Sequence, residues 1–130
     1  MLKNFMHDMV DKKLSNTEIG DKYFCTAVLH RTDRYGEKAR GYLNYSLSQQ
    51  RDDIRTQQVD LSKVKLKTYD SLPSSELPPK PFHMLDETKY VYVVQYHGKI
   101  ILYILLQNNK IASTTLIGQG DEHYFMDLCN

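Results

Sequence analysis

The apolar positions at the start of the chain recur with the period of an α-helix. They are Leu2, Phe5, Met6, Met9, Val10 and Leu14, with polar residues between them. This spacing predicts a helix over residues 2–14. Ser15-Asn16-Thr17 is expected to end it, because short polar side chains compete for backbone hydrogen bonds. We expect the apolar face to pack into the core, with docking to a partner as the alternative.

Residues 23–30 alternate with the two-residue period of a β-strand and are apolar on most of both faces. This pattern predicts a buried strand, and the polar residues 31–40 predict an exposed loop after it. Residues 41–49 alternate again, which favours a second strand, because Gly41 and the nearby serine and asparagine residues are poor helix formers. A helix over residues 37–56 is the open alternative. It rests on the spacing of Ala39, Leu43, Leu47 and Ile54.

Lysine occupies alternate positions in the next segment, at Lys63, Lys65 and Lys67. Together with the apolar residues between them, the lysines predict a strand with one charged face. Their side chains would stand roughly 6.6 Å apart, close to the phosphate spacing of an extended nucleic acid. Lysine also protects edge strands from aggregation, and that is the preferred interpretation.

The four prolines of the chain all lie within residues 73–81. Proline has a fixed φ and no amide donor, which excludes a helix or a sheet interior. Residues 71–86 are therefore predicted to form a long loop between two halves of the chain. Because the loop also carries large apolar side chains, we expect it to be ordered, with Phe82 or Leu85 anchoring it near the sheet. A mobile connector is the alternative.

Two turn signals divide residues 89–117 into three apolar strands. His97-Gly98 and Asn108-Asn109 suit the positive φ values of two-residue hairpin turns. The segment therefore predicts a three-stranded antiparallel meander. Strand 99–107 is apolar on both faces, so we expect it at the centre of the sheet.

Two-residue turns set a register that sorts the meander into two faces. Tyr92 is then opposite Tyr103, and Tyr103 is opposite Thr114. One face is aliphatic, with Val91, Val93, Ile100, Leu102, Ile104, Leu106, Ile111 and Ile117. The other face displays rings with polar hydroxyls, which suits a binding platform, although a second core face is the alternative. The candidate partner-binding residues are Tyr90, Tyr92, Tyr96, Tyr103 and Thr114.

These elements predict an α+β fold. An amphipathic N-terminal helix is expected to pack on a mostly antiparallel β-sheet that includes the C-terminal three-stranded meander. The chain has 130 residues and a mass of 15.2 kDa, near the usual size of one domain. We therefore predict a single domain over residues 1–130.

Charge and cysteine content narrow the class of protein. Seventeen Lys and Arg residues against sixteen Asp and Glu residues give a net charge of +1, so nucleic acid is a less favoured partner. The longest apolar runs fall far short of the roughly 20 residues of a membrane span, and no secretion signal is evident. We expect a soluble cytoplasmic protein with no membrane partner. Reduced thiols are then expected at Cys25 and Cys129, although the sequence leaves their pairing open.

No metal or cofactor site is predicted from the chemistry-bearing residues. Asp70, Glu87 and Lys89 have the order found in metal-dependent nucleases, but such triplets are common by chance. Residues 121–129 lack the paired spacing of a zinc site and predict an exposed tail. Gly118-Gln119-Gly120 departs from the phosphate-loop formula and predicts a flexible turn.

No motif in the chain specifies a reaction, whereas the tyrosine face offers an aromatic display. We therefore predict a small binding protein of the inhibitor, immunity or adaptor type that docks a protein partner through that face. A homodimer through the same face is a close variant. The alternative is a small phosphodiesterase or ribonuclease, with His30 as the base and Arg31 or Arg34 stabilising the phosphorane charge.

Overall fold

The structure is a computed structural model that describes residues 1–78, 82–83, 88–120 and 122–129. Over these residues it has three α-helices, a four-stranded antiparallel sheet and a two-stranded antiparallel sheet. The predicted α+β class is therefore confirmed. The chain divides into two compact units, Met1–Ser62 with the residues from Leu128 onward, and Lys63–Asp127. The single domain over residues 1–130 stays a prediction.

The first unit begins with helix α1, Leu2–Val10, which confirms the predicted N-terminal helix. It ends at Val10, four residues earlier than predicted, and Asp11 is its C-terminal cap. Its buried side chains, Phe5, Met6 and Met9, are the centre of the predicted apolar stripe. The Phe5 ring packs edge-on against Tyr23, with the ring centroids 5.5 Å apart. The apolar face of α1 therefore lies in the core of its own unit.

Helix α2, Asn16–Tyr23, was not predicted from the sequence. It lies where the end of the first helix and the start of a strand were expected. The segment Ser15-Asn16-Thr17 begins this helix rather than only ending the previous one. The Ser15 hydroxyl accepts a hydrogen bond from the Glu18 amide at 3.1 Å, and the Glu18 carboxylate accepts one from the Ser15 amide at 3.2 Å. This reciprocal cap stabilises the first turn. The strand predicted over residues 23–30 is wrong, since Tyr23 ends α2 and residues 27–30 form a turn.

Helix α3, Arg34–Thr56, occupies the range where a loop and a strand were predicted, so both predictions are wrong. Asp33 caps it by accepting a hydrogen bond from the Gly36 amide at 3.2 Å. Gly36 has no room for a side chain, because a Cβ there would lie 2.1 Å from the Arg31 carbonyl oxygen. The buried positions include all four of the helical alternative, Ala39, Leu43, Leu47 and Ile54, together with Gly36 and Arg51. A period sustained over 23 residues outweighs a short alternation within it.

The four-stranded sheet of the second unit has the order β1-β2-β3-β4. Its strands are β1 Lys65–Thr68, β2 Val91–Tyr96, β3 Lys99–Gln107 and β4 Lys110–Ser113. Both predicted hairpin turns are present, with φ values of 52° and 78° at His97 and Gly98 and of 51° and 63° at Asn108 and Asn109. The lysine strand, the meander and the interior position of β3 are thus confirmed.

Two irregularities in the pairing displace the predicted register by one residue. Tyr96 lies opposite Lys99 as predicted, but the partners then shift between Val94 and Gln95. Beyond that point Tyr92 is opposite Ile104, and Tyr103 is opposite Val93. A second shift, between Leu105 and Leu106, precedes the end of β4 at Ser113. The predicted pairs Tyr92–Tyr103 and Tyr103–Thr114 are therefore wrong.

The last two strands form a separate sheet in the second unit. Strand β5, Leu116–Gln119, pairs with β6, Glu122–Phe125. Ile117 is 45% exposed, so it is not part of an aliphatic wall of the main sheet. Gly118 lies in β5, and Gly120 has the positive φ of a turn, 65°. The exposed tail predicted over residues 121–129 is wrong, because residues 122–125 are paired and Leu128 is buried.

Candidate functional site

The predicted tyrosine face is divided by the observed register. Side chains at directly paired positions share a face, so Tyr92 and Tyr103 lie on opposite faces of the sheet. Tyr96, at the end of β2, stacks against His97 with the ring centroids 4.1 Å apart. Tyr90 precedes β2 and is 54% exposed, and Thr114 is buried just after β4. These five residues do not come together as one surface, and their binding role stays a prediction.

Tyr103 belongs instead to an aromatic cluster built on the proline-rich loop. Phe82 packs against Tyr69, Tyr103 and Phe125, with centroid distances of 4.9, 5.6 and 5.1 Å. Burial raises the pKa of the Tyr103 hydroxyl. The predicted anchoring of the loop by Phe82 is confirmed, whereas Leu85 lies outside the described residues. The face of the sheet that carries Tyr103 is therefore covered by the aromatic cluster at this position and packs as core.

Three exposed tyrosines lie on α3, whereas the sequence predicted a tyrosine surface on the sheet. Tyr35, Tyr42 and Tyr45 are 71%, 59% and 64% exposed. Their spacing of seven and three residues puts all three on one side of the helix. Lys38 and Gln49 continue the same stripe at spacings of three and four. The Gln49 amide donates a hydrogen bond to the Tyr45 hydroxyl at 2.9 Å. The helical spacing of apolar residues over 37–56 is the sequence signal that points to this stripe.

The N-terminal end of this stripe is basic. The Arg31 guanidinium lies 5.3 Å from the Tyr35 ring centroid and is paired with Asp33. The hydrogen bond between them raises the pKa of Arg31 and lowers that of Asp33. Arg34 and Lys38, four residues apart on α3, are both exposed. The stripe therefore combines aromatic rings with positive charge at one end.

His30 lines a cavity of about 150 Å³ within the first unit. Its Nε2 lies 2.9 Å from the Asp21 carboxylate. Arg40, which also lines the cavity, donates hydrogen bonds to the carbonyl oxygens of Leu29 and Arg31 at 2.8 and 2.7 Å. The predicted cationic partners Arg31 and Arg34 are not among the residues lining it. The structure thus gives His30 a carboxylate partner and a different arginine neighbour.

Another cavity, of about 260 Å³, lies in the second unit and is lined by Lys63, Lys65 and Lys67 together with Glu76, Gln95, His97 and Gly98. Gln95 is 4% exposed, and its amide donates to the Glu76 carboxylate at 3.3 Å. Lys67 is half-buried, while Lys63 and Lys65 are exposed. The cavity lies at the β1 edge of the sheet.

Side chains that could ligate a metal ion are dispersed among the described residues. In this part of the chain no three His, Cys, Asp or Glu side chains come together to hold a metal ion. Asp70 accepts a hydrogen bond from Thr88, Lys89 lies over the Tyr90 ring, and Glu87 is outside the described residues. None of the helices described is both long and apolar enough to pass through a bilayer. Comparison with protein-family models, curated proteins and solved structures finds no match to this chain.

Proposed function

We propose that this protein is a non-enzymatic binding protein of the inhibitor, immunity or adaptor type, and that it docks a protein partner through the tyrosine stripe of α3. The single observation that carries the proposal is the exposure of Tyr35, Tyr42 and Tyr45, each more than half accessible on one side of one helix. The proposed docking surface therefore lies on α3 and not on the sheet face expected from the sequence.

The physical case rests on the area that tyrosine buries and on its rigidity. Tyrosine is enriched in the centres of protein interfaces, because its ring is apolar, its hydroxyl forms hydrogen bonds and few rotatable bonds are frozen on binding. From Tyr35 to Tyr45 the stripe runs about 15 Å along the helix axis. A regular helix holds the three rings in fixed relation, which lowers the entropy cost of docking.

The charges beside the stripe indicate which kind of partner surface would be complementary. Arg34 and Lys38 stand at its N-terminal end, and Asp52 lies further along the same side of α3. A complementary surface is an apolar groove with carboxylates at the end that receives Lys38. Such complementarity selects the orientation of docking and speeds association. The occupant proposed is therefore a folded protein with an acidic, aromatic-accepting groove.

A photo-crosslinking experiment identifies the partner and tests the surface. Benzoylphenylalanine in place of Tyr42 is expected to crosslink one partner protein in cells, whereas the same group in place of Glu37, on another side of α3, is not. Binding of that purified partner is then expected to weaken at least about thirtyfold in the Tyr42→Ala/Tyr45→Ala variant, since two interface tyrosines contribute about 2 kcal/mol or more.

Glu37→Ala is the matched control, because Glu37 is exposed on another side of α3. Its partner affinity is expected to equal that of the unmodified protein. Equal binding by the double variant, with an unchanged melting curve, would remove the stripe from the docking surface. A crosslinked product of twice the chain mass would replace the proposed partner by a homodimer.

The phosphodiesterase alternative retains one supporting observation, the hydrogen bond between His30 and Asp21. A carboxylate in this position orients an imidazole and favours its role as a base. If the alternative holds, labelled RNA or DNA is cleaved by the protein and cleavage is lost in His30→Ala, while His123→Ala, a histidine of the second unit, remains active. Cleavage that persists in His30→Ala, or no cleavage with or without magnesium, rejects it.

A cytoplasmic location remains part of the proposal. Cys25 and Cys129 form a disulfide, so the expectation of reduced thiols is wrong. The bond opposes a cytoplasmic location, because disulfides persist mainly in oxidising compartments. The redox state of this pair in the cell is therefore the observation that bears most directly on the compartment.

A further inference from the structure

We infer that the cavity at the β1 edge, lined by Lys63, Lys65 and Lys67, binds a small ligand that ends in a phosphate monoester. This site lies in the second unit and is separate from the tyrosine stripe proposed for docking. Three observations carry the inference: the convergence of the lysines, the lack of ion pairs on them among the described residues, and a fixed polar side chain in the lining of the cavity.

The lysines converge because of the strand register. Lys65 is opposite Gln95 and Lys67 is opposite Val93, so both side chains leave the same face of the sheet. Lys63, in the short turn before β1, lines the same cavity. Lysines that only protect a sheet edge stand in open solvent. Here Lys67 is half-buried, and all three border a partly open cavity of about 260 Å³.

The positive charge of the lysines in the cavity is only partly compensated. Within the described residues, no carboxylate comes within 4.0 Å of the Nζ atoms of Lys63, Lys65 or Lys67 to form an ion pair. Glu76 contributes one negative charge to the lining, so three positive charges and one negative charge leave two positive charges. A phosphate monoester carries about −1.5 to −2 at neutral pH, which matches this surplus.

The lining of the cavity includes a polar side chain, that of Gln95, which is held in place by a hydrogen bond. The Gln95 side chain is 96% buried, and the Glu76 carboxylate fixes its amide by a hydrogen bond of 3.3 Å. The register shift beside Gln95 locally alters the pleat, a feature common next to binding sites because it redirects side chains. A cavity of this volume lies just below the range of drug-sized sites, so the ligand is small.

The test is a titration of the full-length protein with inorganic phosphate and with phenyl phosphate, at constant ionic strength maintained with chloride. Amide resonances are followed by nuclear magnetic resonance. We expect saturable shifts at Gln95, His97 and Gly98. Lys67→Gln and, separately, Lys63→Gln are expected to weaken binding about three- to tenfold each. Lys110→Gln, an exposed lysine of β4, is the matched control and is expected to leave the affinity unchanged.

Several outcomes overturn the inference. One is the absence of saturable shifts at about 10 mM phosphate, and another is an equal response to chloride alone. Shifts confined to other regions, or equal weakening in Lys110→Gln, would show general attraction to positive charge. If a single-stranded oligonucleotide binds through these lysines with steep salt dependence while phenyl phosphate does not bind, the surface is a nucleic-acid track instead. Spectra of each variant report directly whether its fold is intact.

Discussion

Replacing Cys25 and Cys129 by serine is expected to lower the free energy of unfolding by about 4 kcal/mol. The disulfide joins residues 104 positions apart, and closing a loop of that length restricts the unfolded chain by an amount worth roughly 4–5 kcal/mol in the chain-entropy model. It also ties the end of the chain to the first unit, where Leu128 is buried. A loss of this size is a large fraction of the 5–15 kcal/mol typical of a domain.

Denaturant unfolding followed by the helical signal in far-ultraviolet circular dichroism measures this effect. The chain has no tryptophan, so fluorescence of that residue is not an option. The control is the unmodified protein with reductant, which is expected to unfold at the same lower midpoint as the Cys25→Ser/Cys129→Ser variant. An unmodified protein whose midpoint does not respond to reductant would contradict the disulfide's stabilising role.

Replacing Arg51 by methionine is expected to destabilise the protein by about 3 kcal/mol. Arg51 is 8% exposed and donates hydrogen bonds to the carbonyl oxygens of Met9 and Asp11 at 2.9 and 2.8 Å, at the end of α1. It also donates to the Asn16 side chain at 3.0 Å, at the start of α2. Burial lowers the pKa of its guanidinium, although arginine remains charged in proteins. Methionine preserves much of the volume but leaves these acceptors without donors, at about 1–3 kcal/mol each before relaxation.

The matched control is Arg55→Met, one turn further along α3. Arg55 is exposed and its contact with Asp52 is 3.5 Å, so its loss is expected to cost less than about 0.5 kcal/mol. Thermal and denaturant unfolding of both variants measure the difference. Similar stabilities for Arg51→Met and Arg55→Met would show that the end of α1 does not depend on the buried guanidinium.

Several elements followed from local sequence because their causes are local. The apolar spacing of α1, the alternation of β1 and the two turn dipeptides each reflect the backbone preferences of a few adjacent residues. The anchoring by Phe82 was also foreseen, since large apolar side chains in a proline-rich loop gain by burial. The Ser15 and Glu18 cap was equally readable, but the expected end of one helix hid the start of the next.

The candidate sites divide in the same way. The charged face of the lysine strand was predicted from the alternation of lysines. The cavity that these lysines share with Glu76 and Gln95 could not be predicted in this way, because those residues are distant along the chain. The exposed tyrosines of α3 were hidden by the choice of strand over helix at residues 41–49. That choice depends on whether a segment has a core to bury Leu43 and Leu47, which short-range patterns do not show.

Residue order alone therefore established the α+β class, the proline-rich loop and the meander with its turns, because hydrophobic period and turn chemistry act over a few residues. Long-range packing decided the rest. A one-residue shift in the ladder exchanges the faces of a strand, and this shift separated Tyr92 from Tyr103. The bond between Cys25 and Cys129, the burial of Arg51 and the convergence of the lysines on Gln95 likewise depend on where distant segments meet in space, which no local pattern encodes.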